Sequence, residues 1–275
     1  MATYLLDTSV IIDALNSNFV AVFTAYFDAS GSESSTVMSV AGFVSRLEKW
    51  ARFESAWKSF LPDTVSMFHM TDFVTGREGW ESWKGPEHRK LRAKLLENLV
   101  GCIKLNTNQG FASSVRMSDY REVNRQFKLR EYVGSPYVFL GMSELGRLKM
   151  WAARAKIDHS KILCLFEDGD HGQGDLIKRA RSEGFNAVPK SKKHLRAFDA
   201  CDLTAWRARV QIDDAWERQV HLNDPEGPAN IMRSISHLEA VVRNKEVGMF
   251  SAGALHKICE SLDIPKRSVL DPNSK

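Results

Sequence analysis

Six carboxylates fall where chemistry is often sited in a folded chain. Asp28 closes the β-branched and aromatic run "TAYFD", just before the small-residue turn "ASGSESS". Glu167, Asp168 and Asp170 close the apolar run "KILCLFEDGD". Asp199 and Asp202 stand three residues apart in "FDACDLTAW", so they share one face of a helix that is otherwise apolar there: Phe198, Cys201, Leu203, Ala205 and Trp206. A carboxylate on a buried face is costly unless a positive group meets it, and neighbouring carboxylates repel one another. A divalent cation removes both penalties. Hard oxygen donors without a Cys/His cage point to Mg²⁺ or Mn²⁺. Two such ions about 4 Å apart activate a water and stabilise the leaving oxygen of a phosphodiester.

Each acid also has a structural reading. An Asp after a strand often bonds its own backbone in a turn. "EDGD" resembles a hairpin turn or the start of a calcium loop, although the EF-hand spacing with its terminal Glu is absent. Asp202 has Lys192, Lys193 and Arg196 nearby in sequence as ion-pair partners. Glu54 lies on the Trp50/Trp57 stripe, at the edge where a glutamate turns to solvent. The basic run Lys190, Lys192, Lys193, His194, Arg196 reads either as a solvated face or as a grip on a phosphate backbone. Trp80 and Trp83, in a Gly-rich loop, either cover the core or stack on bases.

The elements that must position these residues alternate between strand and helix, which predicts an α/β fold. "NFVAVFTAYFD" and "TVMSVAGFV" read as adjacent strands, and "RLEKWARFESAWKSFL" as an amphipathic helix. "MFHMTDF" reads as a short strand-like piece and "EHRKLRAKLLENLVGCI" as a helix. A strand in "GFASSVRMSDY", a long helix in "YVFLGMSELGRLKMWAARA" and a buried strand in "KILCLFE" follow. "DLIKRARSEG" is a helix stopped by Gly184, and "HLRAFDACDLTAWRARVQI" is the helix carrying Asp199 and Asp202. Beyond Pro228, "NIMRSISHLEAVV" and "SAGALHKICESL" read as helices, and the tail as mobile.

The 275 residues suffice for one large domain with a smaller appendage. With 38 Lys+Arg against 34 Asp+Glu, the net charge of +4 permits a phosphate-rich partner without demanding one. Cys102, Cys164, Cys201 and Cys259 form no CxxC pair, so buried thiols in a reducing cytoplasm are expected and a zinc site made of cysteines is not. The N-terminal apolar stretch contains Asp7 and Asp13, has no basic flank and is too short to span a membrane.

Four motifs in order, "AYFDASGSE…VAGFV", "FHMTDF", "LFEDGD" and "FDACDLTAW", resemble the bacterial family known as domain of unknown function 3800 (DUF3800), over about Phe19 to Ala215. The resemblance implies a ribonuclease H-like mixed sheet flanked by helices and metal-dependent nuclease chemistry. It makes Asp28, Glu167 and Asp202 the principal metal ligands, with Asp72, Asp168 and Asp199 supporting. His69 becomes a proton carrier or phosphate contact, and Ser30, Lys192, Lys193 and His194 substrate contacts. Two positions depart from the family pattern: Ala29 stands where Glu is common, and Asp199 where Gln is usual. Separately, "TYLLDTSVIIDALN" resembles the start of a PIN-domain ribonuclease for about sixteen residues. The resulting division is an N-terminal extension (1–18), a catalytic domain (19–216) and a helical C-terminal extension and tail (217–275). Nucleic acid is the expected partner, with the C-terminal helices offered to a second copy or a partner protein. The alternatives are a non-catalytic scaffold that binds nucleic acid or a protein, and a defence or toxin effector acting on a particular RNA or nucleotide.

Overall fold

The computed structural model describes residues 22–193, 195–222 and 247–267. The PIN-like segment, the expected helix "NIMRSISHLEAVV", His194 and the tail beyond Arg267 lie outside the described residues; the start of the tail expected to be mobile, residues 265–267, is hydrogen-bonded to residues 124–128. The described chain is an α/β structure built on one six-stranded mixed sheet with helices on both faces.

Strands β1 (Phe23–Ser30) and β2 (Val37–Arg46) form the hairpin read from the sequence. Helices α1 (Leu47–Phe60), α2 (Met70–Thr75) and α3 (Arg89–Asn106) precede β3 (Gln109–Arg116). Then come α4 (Met117–Gln126), α5 (Leu129–Val133), the long α6 (Pro136–Arg154), β4 (Ile162–Glu167), α7 (Gln173–Ser182), β5 (Asn186–Lys190) and α8 (Arg196–Leu222). After residues 223–246 the description resumes with β6 (Val247–Phe250) and α9 (Ala252–Ser261).

The strand order is β5-β4-β1-β2-β3-β6. β1, β2 and β3 pair antiparallel; β4 runs parallel to β1, β5 to β4, and β6 to β3. The central strands are buried on both faces and so carry continuous apolar runs rather than strict alternation. Alternation still decides which layer each side chain joins. Ala25 and Phe27 enter the core beneath α6, α7 and α9, and Tyr26 enters the core beneath α1, α3 and α8. Asp28 therefore falls on the Tyr26 side. Gly42 of β2 makes room for Phe27: a Cβ there would lie 2.1 Å from the Phe27 ring.

Three expectations are revised. "MFHMTDF" is not a strand. His69 is the extended residue before α2, Met70 and Phe73 bury one face of its single turn, and left-handed Gly76 closes it. A six-residue apolar-polar stretch cannot distinguish one helical turn from a short strand. β5 was not anticipated, because "NAVPK" is short and contains Pro189, which only an edge strand tolerates. The C-terminal segment is not a purely helical appendage. β6 extends the sheet beside β3, and Leu255, Cys259 and Ile264 join the core that contains Phe27 and Phe166.

Candidate active site

The parallel strand β4 ends at Glu167, while β1 runs two residues past Asp28, to Ser30, still paired with β2. The β1–β4 register pairs Phe27 with Phe166, so the next residues, Asp28 and Glu167, stand side by side on the α8 face toward the strands' C-terminal ends. That edge is where open α/β sheets place ligands. α8 packs across β1 and β2 and brings Asp202 to the same point. Asp28 and Asp202 are only 4% and 5% exposed.

Asp28 does not close its strand as expected: it pairs with Ala41 inside β1, which runs on to Ser30, and its Oδ1 accepts the Ala29 backbone N–H at 2.7 Å. Its Oδ2 is buried and receives no donor among the described residues. Burial, then the hydrogen bond and charge of Glu167, hold the Asp28 carboxyl well above the usual carboxylate range. Burial pushes Glu167 up as well, but its contacts with Asp28 and with Lys192 outweigh that and leave it below its ordinary value. Asp202 is pushed up by burial, against the pull of His69 and of the Met70 N–H, which donates to Asp202 Oδ2 at 2.7 Å.

Two basic side chains face the acids. Lys192 Nζ lies 2.8 Å from Glu167 Oε1. Burial lowers the Lys192 pKa, but Asp28, Glu167 and Asp202 together raise it, and the ammonium stays protonated. His69 bridges two carboxylates: Nε2 is 3.4 Å from Asp202 Oδ1 and Nδ1 is 3.1 Å from Asp72 Oδ2. Asp72 touches the cluster only through His69, so it orients the ring and does not join the acids.

Two further expected ligands, besides Asp72, stand elsewhere. Asp168 is exposed, one residue past the end of β4, and its N–H continues the ladder to the Lys190 carbonyl at 3.0 Å. The period of two along a strand sends it away from Glu167. Asp199 is fully buried one helical turn before Asp202, where its Oδ2 accepts Trp57 Nε1 at 3.0 Å and the Phe68 N–H at 3.3 Å, with Arg196 at 3.6 Å. It ties α8 to α1 and to the approach of α2. Burial pushes its pKa to about 8. Glu54 does not turn to solvent. It is half-buried near the Arg196 and Ala197 N–H groups at the start of α8, and burial raises it to about 7. A carboxylate beside the first amides of a helix is favoured by donors that have no intrahelical partner.

Ser30 Oγ accepts Arg209 Nε of α8 at 3.1 Å, and Lys193 is exposed beside the site. Trp80 is fully buried and packs edge-on against Trp83 at 5.2 Å, so this pair covers the core. Asp170 is a neighbour to which the sequence assigned no role. It is half-buried and raised to about 6, first by burial and then by the charge of Glu167. Its Oδ2 is buried and receives no donor among the described residues. Tyr137, on the first turn of α6, lies close to the Asp170 carboxyl, a neighbour without a local sequence signal.

Three carboxylates thus meet at one sheet edge, and Asp28 Oδ2 keeps an unused acceptor. This is a hard-oxygen donor set of the kind Mg²⁺ and Mn²⁺ accept. Among the described residues, no group of three or more His, Cys, Asp and Glu side chains is gathered closely enough to hold a metal ion as it stands. No protein-family model matches the chain, and no curated protein matches it significantly. No described helix is long and apolar enough to cross a membrane.

Proposed function

We propose that this protein is a Mg²⁺- or Mn²⁺-dependent phosphodiester hydrolase acting on nucleic acid, with a ribonuclease H-like arrangement of its sheet and acids. The observation that carries the reading is the convergence of buried Asp28, Glu167 and Asp202, with the donor-less Asp28 Oδ2 among them. The motif resemblance implied this acid layout, a strand-end Asp, a second strand-end acid and a helix-face Asp. Asp28, Glu167 and Asp202 would hold the ion, which supplies a polarised phosphoryl oxygen and a more acidic bound water when present. Lys192, held protonated 2.8 Å from Glu167, offers a fixed positive charge to a phosphate oxygen. His69, aligned between Asp72 and Asp202, is placed to pass a proton to or from the reacting oxygens. Asp72 fixes the tautomer and orientation of that ring. Lys193, exposed beside the site, adds backbone attraction.

A second reading has its own observation. Lys192 already pairs with Glu167, and His69 Nε2 lies 3.4 Å from Asp202 Oδ1, so the cluster has protein partners of its own. A scaffold that binds nucleic acid without cutting would need no more. A cleavage screen on single- and double-stranded DNA and RNA separates the two readings. Hydrolysis that requires Mn²⁺ or Mg²⁺, stops with chelator and falls at least about a hundredfold in Asp28→Asn and Asp202→Asn supports the hydrolase. Nucleic-acid binding without cleavage, indifferent to chelator and to Asp28→Asn, supports the scaffold.

A further inference from the structure

The Lys192 ammonium reaches the acids because the sheet aims it there. β5 pairs with β4 in parallel, with Lys190 opposite Glu167. Two residues on, Lys192 stands in the connection to α8, past the end of β4. That connection is tied down. The Lys192 carbonyl accepts the Leu195 N–H at 3.0 Å, the Lys193 N–H donates to Ser191 Oγ at 3.3 Å, and Leu195 is buried in the core beneath α8. The Lys192 side chain is 17% exposed, and its Nζ lies 2.8 Å from Glu167 Oε1. A charge so far withdrawn from water is costly unless an opposite charge meets it. Here the charges of Asp28, Glu167 and Asp202 all favour the ammonium.

A carboxylate oxygen that holds an ammonium at 2.8 Å has engaged the lone pair a divalent ion would take, and the two cations repel each other on one carboxylate. Among the described residues the acids are not gathered closely enough to hold an ion as they stand, and no donor reaches the buried Asp28 Oδ2. We infer that Lys192 is the cluster's internal counter-ion: its ammonium holds Glu167 in the metal-free protein, and Glu167 joins Asp28 and Asp202 around a divalent cation only when that ammonium withdraws. The cation and Lys192 compete for one carboxylate. This deepens the hydrolase reading and rests on it for the cation. A displaced ammonium has lost its carboxylate and is free for a phosphate oxygen, which couples the loading of the site to the binding of substrate.

The test titrates Mn²⁺ by calorimetry into the full chain, into Lys192→Met, which keeps an apolar stem without its charge, and into Lys193→Met, which removes a neighbouring exposed charge. Lys192→Met is expected to bind Mn²⁺ at least about tenfold more tightly than the parent, and Lys193→Met within about twofold of it. The metal-free melting temperature of Lys192→Met should fall, because Glu167 loses its partner, and its rise on adding Mn²⁺ should exceed the parent's. A second measurement needs no variant. Acetylation of the parent's lysines, mapped by mass spectrometry, should find Lys192 protected without Mn²⁺ and more reactive with it, and Lys193 alike in both. Three results each overturn the counter-ion and leave the metal reading standing: unchanged or weaker affinity in a folded Lys192→Met, equal tightening in Lys193→Met, or Lys192 acetylation indifferent to Mn²⁺ in a parent that binds it. Binding by Lys192→Met but not by the parent keeps the counter-ion and removes the metal reading. Binding by neither overturns both.

Discussion

At the scale of single residues, the cluster carries an electrostatic tension in the metal-free protein. Asp28 is buried beside Glu167 with one oxygen lacking a donor. Asp28→Asn keeps an oxygen for the Ala29 N–H and adds an amide that can donate toward Glu167. It should raise metal-free stability by about 1–2 kcal/mol near neutral pH, measured by denaturant unfolding, while removing metal-induced stabilisation. Asp199 and Glu54 give a pH dependence. Their carboxyls are raised to about 8 and about 7 in the folded protein, whereas an unfolded chain releases those protons near pH 4. Between these limits the unfolded state binds fewer protons, so the contribution is complete below about pH 4 and is lost as pH rises through about 7 and 8. The melting temperature should therefore be lower at pH 9 than at pH 6. Asp199→Asn, whose amide oxygen still accepts Trp57 Nε1 and the Phe68 N–H, should flatten most of that decline. A pH-independent melting temperature in the parent would show that Asp199 is ionised throughout.

At the scale of elements, the site depends on how α8 is anchored. Glu54 of α1 lies beside its first amides, and Asp199 bonds it to Trp57 and Phe68. Glu54→Ala should cost about 1 kcal/mol by unfolding and weaken Mn²⁺ binding through Asp202, with Glu54→Gln recovering part of both. Gly42→Ala should cost about 1–3 kcal/mol, because its methyl would meet the Phe27 ring on the adjacent strand. Legibility follows the same lines. The β1–β2 hairpin, α1, α6 and β4 announce themselves through long apolar runs or helical spacing, and Asp28, Glu167 and Asp202 are visible as acids that end or interrupt those runs. Which acids meet is not legible in the local pattern, and only the motif resemblance singled out Asp28, Glu167 and Asp202. Their meeting depends on the parallel β1–β4 register, on the strand period that turns Asp168 outward, and on the helical turn that points Asp199 at α1 rather than at Asp202's partners. Asp170 and Tyr137 are joined only by tertiary packing, so no local pattern marks them.

At the scale of the whole molecule, the sheet does not end where the four sequence motifs end. β6 pairs with β3, and α9 contributes Leu255, Cys259 and Ile264 to the core under Phe27 and Phe166. A chain cut after residue 216 loses that edge and cap. It should not give a cooperative thermal transition, whereas the full chain should; a truncated protein that melts as sharply would restore the division into an independent domain and an appendage. The same connectivity makes the cluster report on the fold as a whole, since its acids come from β1, β4 and α8. The central claim is that those acids form a divalent-cation site, and calorimetric titration of Mn²⁺ into the metal-free protein, beside folded Asp28→Asn and Asp202→Asn, tests it most directly. Binding to the parent with a sub-millimolar Kd, lost in both variants, is the predicted result. No heat of binding in the parent, or binding that survives both substitutions, would contradict it.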